Sequence, residues 1–259
     1  MKNKGPKIII IVLVITIIIS ACPILMREPI FMDSQQIRFP DVLFNSYGNR
    51  GSYEFNPETI LESLKRGNED VFTPIAEASR EHIYSTSFPW KQSDYLMIAD
   101  ALHQFVWKET VEDWSLHDMV LYGDCQYNPI GFDIIKISYY KVTGLQQYSA
   151  HMIGIYPLSG EGEWGGGEKF PRSLFSRWNY IDLEKLKVTS EGALQIAEDN
   201  GGMLARLAAN NQCSIQFSLS SYPYPRWRVT YYSNRSPRQI FEMTIDAYTN
   251  KYEILSTYQ

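Results

Sequence analysis

The sequence predicts an α+β fold: an N-terminal signal or anchor helix, then two modules in which helices pack on one face of an antiparallel sheet. Three observations lead to this prediction. A long apolar run lies near the N-terminus, helical periodicity recurs around residues 56–108 and 190–209, and strand-like segments follow each helical stretch. Strands with one apolar and one polar face are typical of an antiparallel sheet covered by helices on one side.

The first 22 residues have the pattern of an export signal. Three lysines precede an apolar run from Ile8 to Ile19, and small residues follow it. The tetrapeptide Ile19–Cys22 resembles the lipobox of bacterial lipoproteins, whose cysteine thiol carries a diacylglyceryl group. Because two acyl chains are enough for stable membrane anchoring, Cys22 is a predicted lipidation site.

An uncleaved transmembrane anchor is the alternative. The 19 residues from Ile8 to Met26 are just long enough to span a bilayer, and the lysines before them would keep the N-terminus inside. Pro23 disfavours a continuous helix, and the apolar core is short for a span. Both alternatives predict a protein at the cell membrane whose body faces the extracytoplasmic side.

Composition and charge exclude some partners. The chain is 44% apolar and 20% charged, which is ordinary for a globular protein. Without residues 1–21 it has 21 basic and 29 acidic residues, a net charge of −8, which disfavours nucleic acid and peripheral attachment to anionic lipid. The 18 Tyr, 12 Phe and 6 Trp favour β-structure, and a recognition surface for protein or glycan is the alternative.

Four segments are predicted along the chain: the signal peptide or anchor (1–22), a tether (23–55), a first α+β module (56–180) and a second α+β module (181–259). In the first module, helices are expected to start at Asn56-Pro57 and Thr73-Pro74 and to cover Ser93–Lys108. Strands are expected over 119–127, 132–142 and 148–156. The Gly-rich stretch 160–167 is expected to be a loop, and 171–187 is an unassigned connector.

The second module has the clearer pattern. Ser190 is the expected N-cap of a helix that Gly201-Gly202 interrupts. Three strands follow in which every second residue is apolar, and these apolar rows should face the core. The expected rows are Cys213, Ile215, Phe217 and Leu219; then Trp227, Val229 and Tyr231; then Phe241, Met243, Ile245 and Ala247.

Three motifs in roughly the last 70 residues resemble the PepSY family. They are the helix motif Ser190–Ala197, the strand motif Trp227–Tyr231 and the turn motif Ile245–Lys251. Asn250 stands where that family usually has glycine, and asparagine tolerates the positive φ of such a turn. The resemblance implies an extracytoplasmic binding or inhibitory module, associated in some members with metallopeptidases, and it implies no catalytic residue.

The two modules could be a tandem duplication. The stretch Ile155–Glu161 parallels Ile245–Lys251, Tyr139-Tyr140 parallels Tyr231-Tyr232, and Cys125 and Cys213 each precede a strand. Coincidence between two tyrosine-rich sheets is the alternative. Cys125 and Cys213 could also form a disulfide in an oxidising compartment, or could be buried apolar side chains, since the sequence does not fix the distance between them.

No catalytic or metal-binding set stands out. The four histidines (82, 103, 117 and 151) do not fall at metal-ligand spacing, so neither a metal nor a cofactor is expected. His117-Asp118 could orient a general base, but the neighbouring Ser115 is no evidence of a triad. Two acidic clusters could serve a polymer hydrolase if they met in a cleft. They are Glu109, Glu112 and Asp113, and Glu161, Glu163 and Glu168.

The candidate partner surface is the segment that starts at Tyr222. Two prolines stiffen it, and its tyrosines and arginines are common binding anchors; the candidate contact residues are Tyr222, Tyr224, Arg226 and Arg228. The alternative is a hairpin connection whose aromatic residues cover the core. The sequence therefore predicts a non-enzymatic binding or regulatory protein that could modulate a surface peptidase. A cell-wall glycan-binding module and a polymer hydrolase are the alternatives.

Overall fold

The computed structural model describes residues 49–68, 70–85, 88–126, 132–144, 147–171, 180–221, 224–235 and 238–257, with the side chains of 168–171 excepted. The predicted signal or anchor, its lipidation site Cys22 and residues 23–48 of the predicted tether lie outside this part of the chain. Within it, no helix is both long enough and apolar enough to cross a membrane.

A single antiparallel sheet of ten strands dominates the fold. Its strands are β1 (Asn49–Glu54), β2 (Thr73–Ile75), β3 (Ser115–Asp124), β4 (Phe132–Gly144), β5 (Gln147–Tyr156), β6 (Glu161–Pro171), β7 (Cys213–Ser220), β8 (Arg226–Ser233), β9 (Arg238–Asp246) and β10 (Tyr252–Thr257). Their order across the sheet is β10-β9-β8-β7-β3-β4-β5-β6-β1-β2.

The prediction of two separate helix-on-sheet modules is therefore wrong. Strands β3 and β7 pair along their length, from Asp118 opposite Ser220 to Asp124 opposite Ser214, and join both halves into one sheet. An unpaired strand edge leaves backbone N–H and C=O groups without partners. Pairing β3 with β7 satisfies these groups and brings the apolar rows of both halves into one hydrophobic core.

Two four-stranded meanders make up most of this sheet, β3–β6 and β7–β10. The stretches Ile155–Glu161 and Ile245–Lys251, which are similar in sequence, each connect the third strand of a meander to the fourth. Gly160 and Asn250 occupy the same place in these connections and have φ values of +71° and +66°. This left-handed conformation explains why glycine stands at one position and asparagine at the other.

A disulfide links the two meanders between Cys125 and Cys213, whose Cα atoms are 5.3 Å apart. Cys125 follows the end of β3, whereas Cys213 begins β7. The two cysteines therefore do not both precede a strand, as the sequence comparison had assumed. The antiparallel pairing of β3 with β7 brings the end of one strand beside the start of the other, and the peptide N–H of Cys125 donates to the carbonyl of Cys213.

Four α-helices occur in the described residues: α1 (Ile60–Lys65), α2 (Gln92–Trp107), α3 (Ser190–Ala197) and α4 (Met203–Ala208). The long predicted helix thus corresponds to α2. The helix predicted at Thr73-Pro74 is wrong, because this segment is the edge strand β2, paired with β1, where a proline is tolerated. Thr189, not Ser190, is the N-cap of α3, and its hydroxyl accepts the Gly192 N–H.

The hydrophobic core lies between these helices and one face of the sheet. The predicted inward rows of β7, β8 and β9, which include Trp227, are fully buried. On the other meander, Met119, Ile137 and Ile153 continue the same face across β3, β4 and β5. We call this the helix face and the opposite side the outer face.

Strand β6 contains the Gly-rich stretch for which a loop was predicted, and that prediction is wrong. Gly162 and Gly166 lie beneath α2. A Cβ atom would come within 2.8 Å of Leu102 at Gly162, and within 2.9 Å of both Trp107 and His151 at Gly166. The glycines allow the helix to approach the sheet closely, a role that glycine composition alone cannot reveal.

Candidate binding surface on the outer face

A row of polar side chains crosses five strands on the outer face of the sheet. Cross-strand partners lie on the same face, and alternate residues such as Leu219 and Trp227 point to the buried helix face. The row therefore points away from the core. It consists of Ser138 on β4, Asp118 on β3, Ser220 on β7, Arg226 on β8 and Asp246 on β9.

Arg228 is held by a carboxylate on the neighbouring strand. Its guanidinium contacts Glu242 Oε1 through Nε and Nη2, and the other oxygen of Glu242 accepts a hydrogen bond of 2.7 Å from Gln239. Glu242 is only 5% exposed. Because a buried carboxylate needs a paired cation, Arg228 is a structural residue of this sheet, although the sequence placed it among the partner contacts.

Arg226 is in a different situation. Its guanidinium forms no hydrogen bond or ion pair with any residue that the structure describes, and its central carbon lies 5.9 Å from the centre of the Tyr224 ring. Tyr224 is 50% exposed. The cross-strand neighbour Asp246 turns its Oδ1 towards the β9–β10 turn, where it accepts the N–H groups of Tyr248 and Thr249, each at 2.9 Å.

His117 and Ser221 lie at the same end of these strands. A β-bulge in the pairing of β3 with β4 falls between Leu116 and Asp118, and bulges of this kind redirect side chains. The His117 ring is hydrogen-bonded through Nδ1 to the Ser221 hydroxyl at 3.2 Å, and its Nε2 lies 4.0 Å from Asp118 Oδ2. Burial raises the pKa of Asp118, whereas the charge of His117 and a hydrogen bond from Ser138 lower it.

These three residues do not form a working Ser-His-Asp triad. The serine and the carboxylate do approach opposite nitrogens of the imidazole, as a triad requires. The distance of 4.0 Å between His117 Nε2 and Asp118 Oδ2 is too long for a hydrogen bond, however. Asp118 instead accepts a hydrogen bond from Ser138. Ser221 is 1% exposed, so a substrate cannot reach its hydroxyl. Sequence reasoning missed Ser221 because it is 104 residues from His117 in the chain.

The predicted contact residues are partly brought together. Tyr224 and Arg226 lie side by side, Arg228 is nearby but already paired, and Tyr222 lies outside the described residues. The disulfide is at the opposite end of β3 and β7, because Asp118 and Ser220 mark one end of the paired strands and Cys125 follows the other. We define the Arg226 surface as His117, Ser220, Tyr224 and Arg226.

Glu109 of the first acidic cluster lies on the opposite face of the sheet from Glu161 and Glu163 of the second, and the side chain of Glu168 lies outside the described residues. Glu109 accepts the indole N–H of Trp114 on the helix face. Glu161 and Glu163 alternate with the glycines beneath α2 and therefore point to the outer face. There Glu161 accepts the Ser79 hydroxyl at 2.9 Å, and Glu163 pairs with Arg80. Carboxylates on opposite faces cannot flank one scissile bond. Glu161 and Glu163 instead hold the segment before α2 against β6.

A second cluster of titratable residues is buried where α2 meets the sheet. His103 Nε2 and His151 Nδ1 are 2.9 Å apart, and the His151 ring lies between Trp107 and Trp114, with centroids 3.8 Å away on each side. Burial, and then the neighbouring charges of His103 and Lys141, lower the pKa of His151 to about 3. Both rings are nearly inaccessible, so this pair serves packing and not binding.

Neither a metal site nor a platform of exposed rings is evident in the described residues. They contain no group of three or more His, Cys, Asp or Glu that could hold a metal ion. Their half-exposed aromatic residues are three tyrosines (180, 224 and 252), and none of their tryptophans is exposed. A glycan-binding surface typically uses such rings, so the aromatic content of this chain serves mainly the core.

Comparison with known proteins found no match to the chain among family models, curated proteins or solved structures.

Proposed function

We propose that this chain is a membrane-tethered extracytoplasmic protein that binds a protein partner through the Arg226 surface and catalyses no reaction. The observation that carries the proposal is the state of Arg226. It is a cation without an ion pair among the described residues, it is held against a half-exposed tyrosine, and it lies on a polar sheet face. Arginine and tyrosine are the residue types most often found at the energetic centres of protein interfaces.

The location in this proposal rests on the N-terminal sequence, where either a lipidated Cys22 or an uncleaved span from Ile8 to Met26 would hold the body at the outer side of the membrane. The resemblance of the C-terminal motifs to PepSY domains supports a binding or inhibitory role. It also makes a surface peptidase a reasonable partner to test first.

Site-specific photo-cross-linking in intact cells tests this function. A photoreactive amino acid replaces Tyr224 in the full chain, and a matched chain carries it at Leu207, which is 52% exposed on α4. We expect one protein to be cross-linked from position 224 and not from position 207, and the product to disappear when Arg226→Gln is added. Equal products from both positions, no product from 224, or attached wall polymer in place of protein would overturn the proposal.

A further inference from the structure

Close ion pairs distinguish three other arginines from Arg226. Arg80 pairs with Glu163, Arg206 with Glu198, and Arg228 with Glu242. Arg226 lies in the same sheet, two residues from Arg228 and on the same face, yet its contact is with the ring of Tyr224. A ligand anion could therefore bind the guanidinium without first breaking an ion pair.

The nearest carboxylates of the chain have other partners. Asp246 faces Arg226 across the strand pair, but its Oδ1 accepts two N–H groups of the β9–β10 turn. Moving this carboxylate towards Arg226 would break the two hydrogen bonds that hold the β9–β10 turn. Asp118 is two strands away and accepts a hydrogen bond from Ser138.

The surroundings of Arg226 favour an anion of low charge. Asp246, Asp118 and Glu242 all lie on the outer face around it, and the chain without residues 1–21 has a net charge of −8. A phosphate polymer or an anionic membrane would be repelled by this field, whereas one carboxylate can bind the planar guanidinium through two parallel hydrogen bonds. The Tyr224 ring helps to fix the orientation of the guanidinium.

We infer that Arg226 binds a single carboxylate of the protein partner, with Tyr224 positioning the guanidinium. This inference rests on the proposed function and specifies the chemistry of the partner. The partner then needs an exposed Asp, Glu or chain terminus, and its affinity for this chain should fall as the salt concentration rises.

Competition and direct binding test the inference with the full chain in detergent micelles. The probes are a hexapeptide of five glutamines and one glutamate with both termini blocked (the one-glutamate peptide), the blocked hexaglutamine peptide, and inorganic phosphate. The variants are Arg226→Gln and Arg235→Gln; the latter removes one positive charge from an exposed turn after β8. We expect the one-glutamate peptide to bind at least about tenfold more tightly than hexaglutamine, because only the glutamate can form charge-assisted hydrogen bonds with the guanidinium.

Arg226→Gln should abolish this preference and Arg235→Gln should retain it. Equal affinity for the two peptides, no binding of either, or a preference that survives Arg226→Gln would overturn the inference. Phosphate that binds as tightly as the one-glutamate peptide would also overturn it, because the recognised anion would not then be specifically a carboxylate.

The failures of the two proposals are distinguishable. If cross-linking from position 224 still depends on Arg226 but the one-glutamate peptide does not compete with it, the binding function stands and the carboxylate inference fails. If position 224 yields no product, the proposed function fails, whatever the peptides do.

Discussion

Arg226 and Arg228 extend from the same face of β8, two residues apart, and have opposite roles: Arg228 neutralises the buried carboxylate of Glu242, whereas Arg226 rests against a half-exposed tyrosine. The two residues have the same chemistry and lie on the same face of one strand. They therefore allow the structural contribution of an arginine on this face to be separated from its contribution to binding.

The first prediction compares the stability of two variants. Arg228→Gln should lower the free energy of unfolding by about 2–3 kcal/mol, because it leaves Glu242 charged and buried without its partner. Arg226→Gln should change it by less than about 0.5 kcal/mol, as is usual for a surface substitution. Urea denaturation followed by circular dichroism measures both values. A similar loss in the two variants would show that Arg226 also has a structural partner.

The second prediction concerns the disulfide. Cys125 and Cys213 are 88 residues apart, and closing a loop of this length removes much of the conformational freedom of the unfolded chain. The double variant Cys125→Ser with Cys213→Ser should lose about 4.6 kcal/mol of stability by the chain-entropy relation. Thermal unfolding with and without a reducing agent provides the measurement. If the reductant shifted the midpoint of the double variant as much as that of the parent chain, the pairing would be contradicted.

The third prediction is a pH dependence that originates at His151. Its pKa in the folded protein is about 3, below the value of 6.5 for an exposed histidine, so the folded state resists protonation of this ring. The stability that depends on the neutral ring is fully present above pH 6.5 and is lost as the pH falls from 6.5 towards 3. Between pH 7.5 and 4.5 the loss should be about 2 kcal/mol after allowance for solvent screening.

Denaturant midpoints across this pH range measure the effect. The variant His151→Phe keeps an aromatic ring between Trp107 and Trp114 but has no group to protonate, and it should show a weaker pH dependence than the parent chain. An unchanged slope would assign the acid sensitivity to other groups.

The fourth prediction concerns the glycines of β6. Gly166→Ala would place a methyl group 2.9 Å from the rings of His151 and Trp107, and we expect it to lower stability by about 2 kcal/mol through overpacking. Gly192→Ala in α3 is the matched control, because its methyl group would make ordinary contacts at 3.6 Å or more. The control should be neutral or stabilising by up to about 1 kcal/mol, since alanine favours the helix. Thermal unfolding distinguishes the two variants.

Local patterns predicted much of the second meander. The alternation in Cys213–Ser220 identified a buried row because side chains of a strand alternate between faces. The edge-to-edge pairing of β3 with β7 was not predicted, since it joins segments about 100 residues apart and leaves no periodic signal in either. The Gly-rich stretch of β6 was wrongly predicted to be a loop. Its glycines lie in a strand on which α2 packs closely, and local sequence patterns do not show that packing.

The candidate site was predicted in the same uneven way. Tyr224 and Arg226 belong to one short segment, so the residue types of that segment were enough to predict them as contact residues. The ion pair of Arg228 depends on the register of β8 with β9, because Glu242 is 14 residues further along the chain. The contact between His117 and Ser221 depends on the pairing of β3 with β7 and on a bulge, neither of which the residue types reveal.

The most direct test measures the dissociation constant of the full chain for the protein that is cross-linked from position 224. It compares the parent chain, Arg226→Gln and the double variant Arg228→Gln with Glu242→Gln. The double variant removes an ion pair from the same face without changing the net charge. We predict that Arg226→Gln weakens binding by about tenfold or more and that the double variant stays within about twofold of the parent chain. Unchanged affinity in Arg226→Gln, or an equal loss in both variants, would contradict the account.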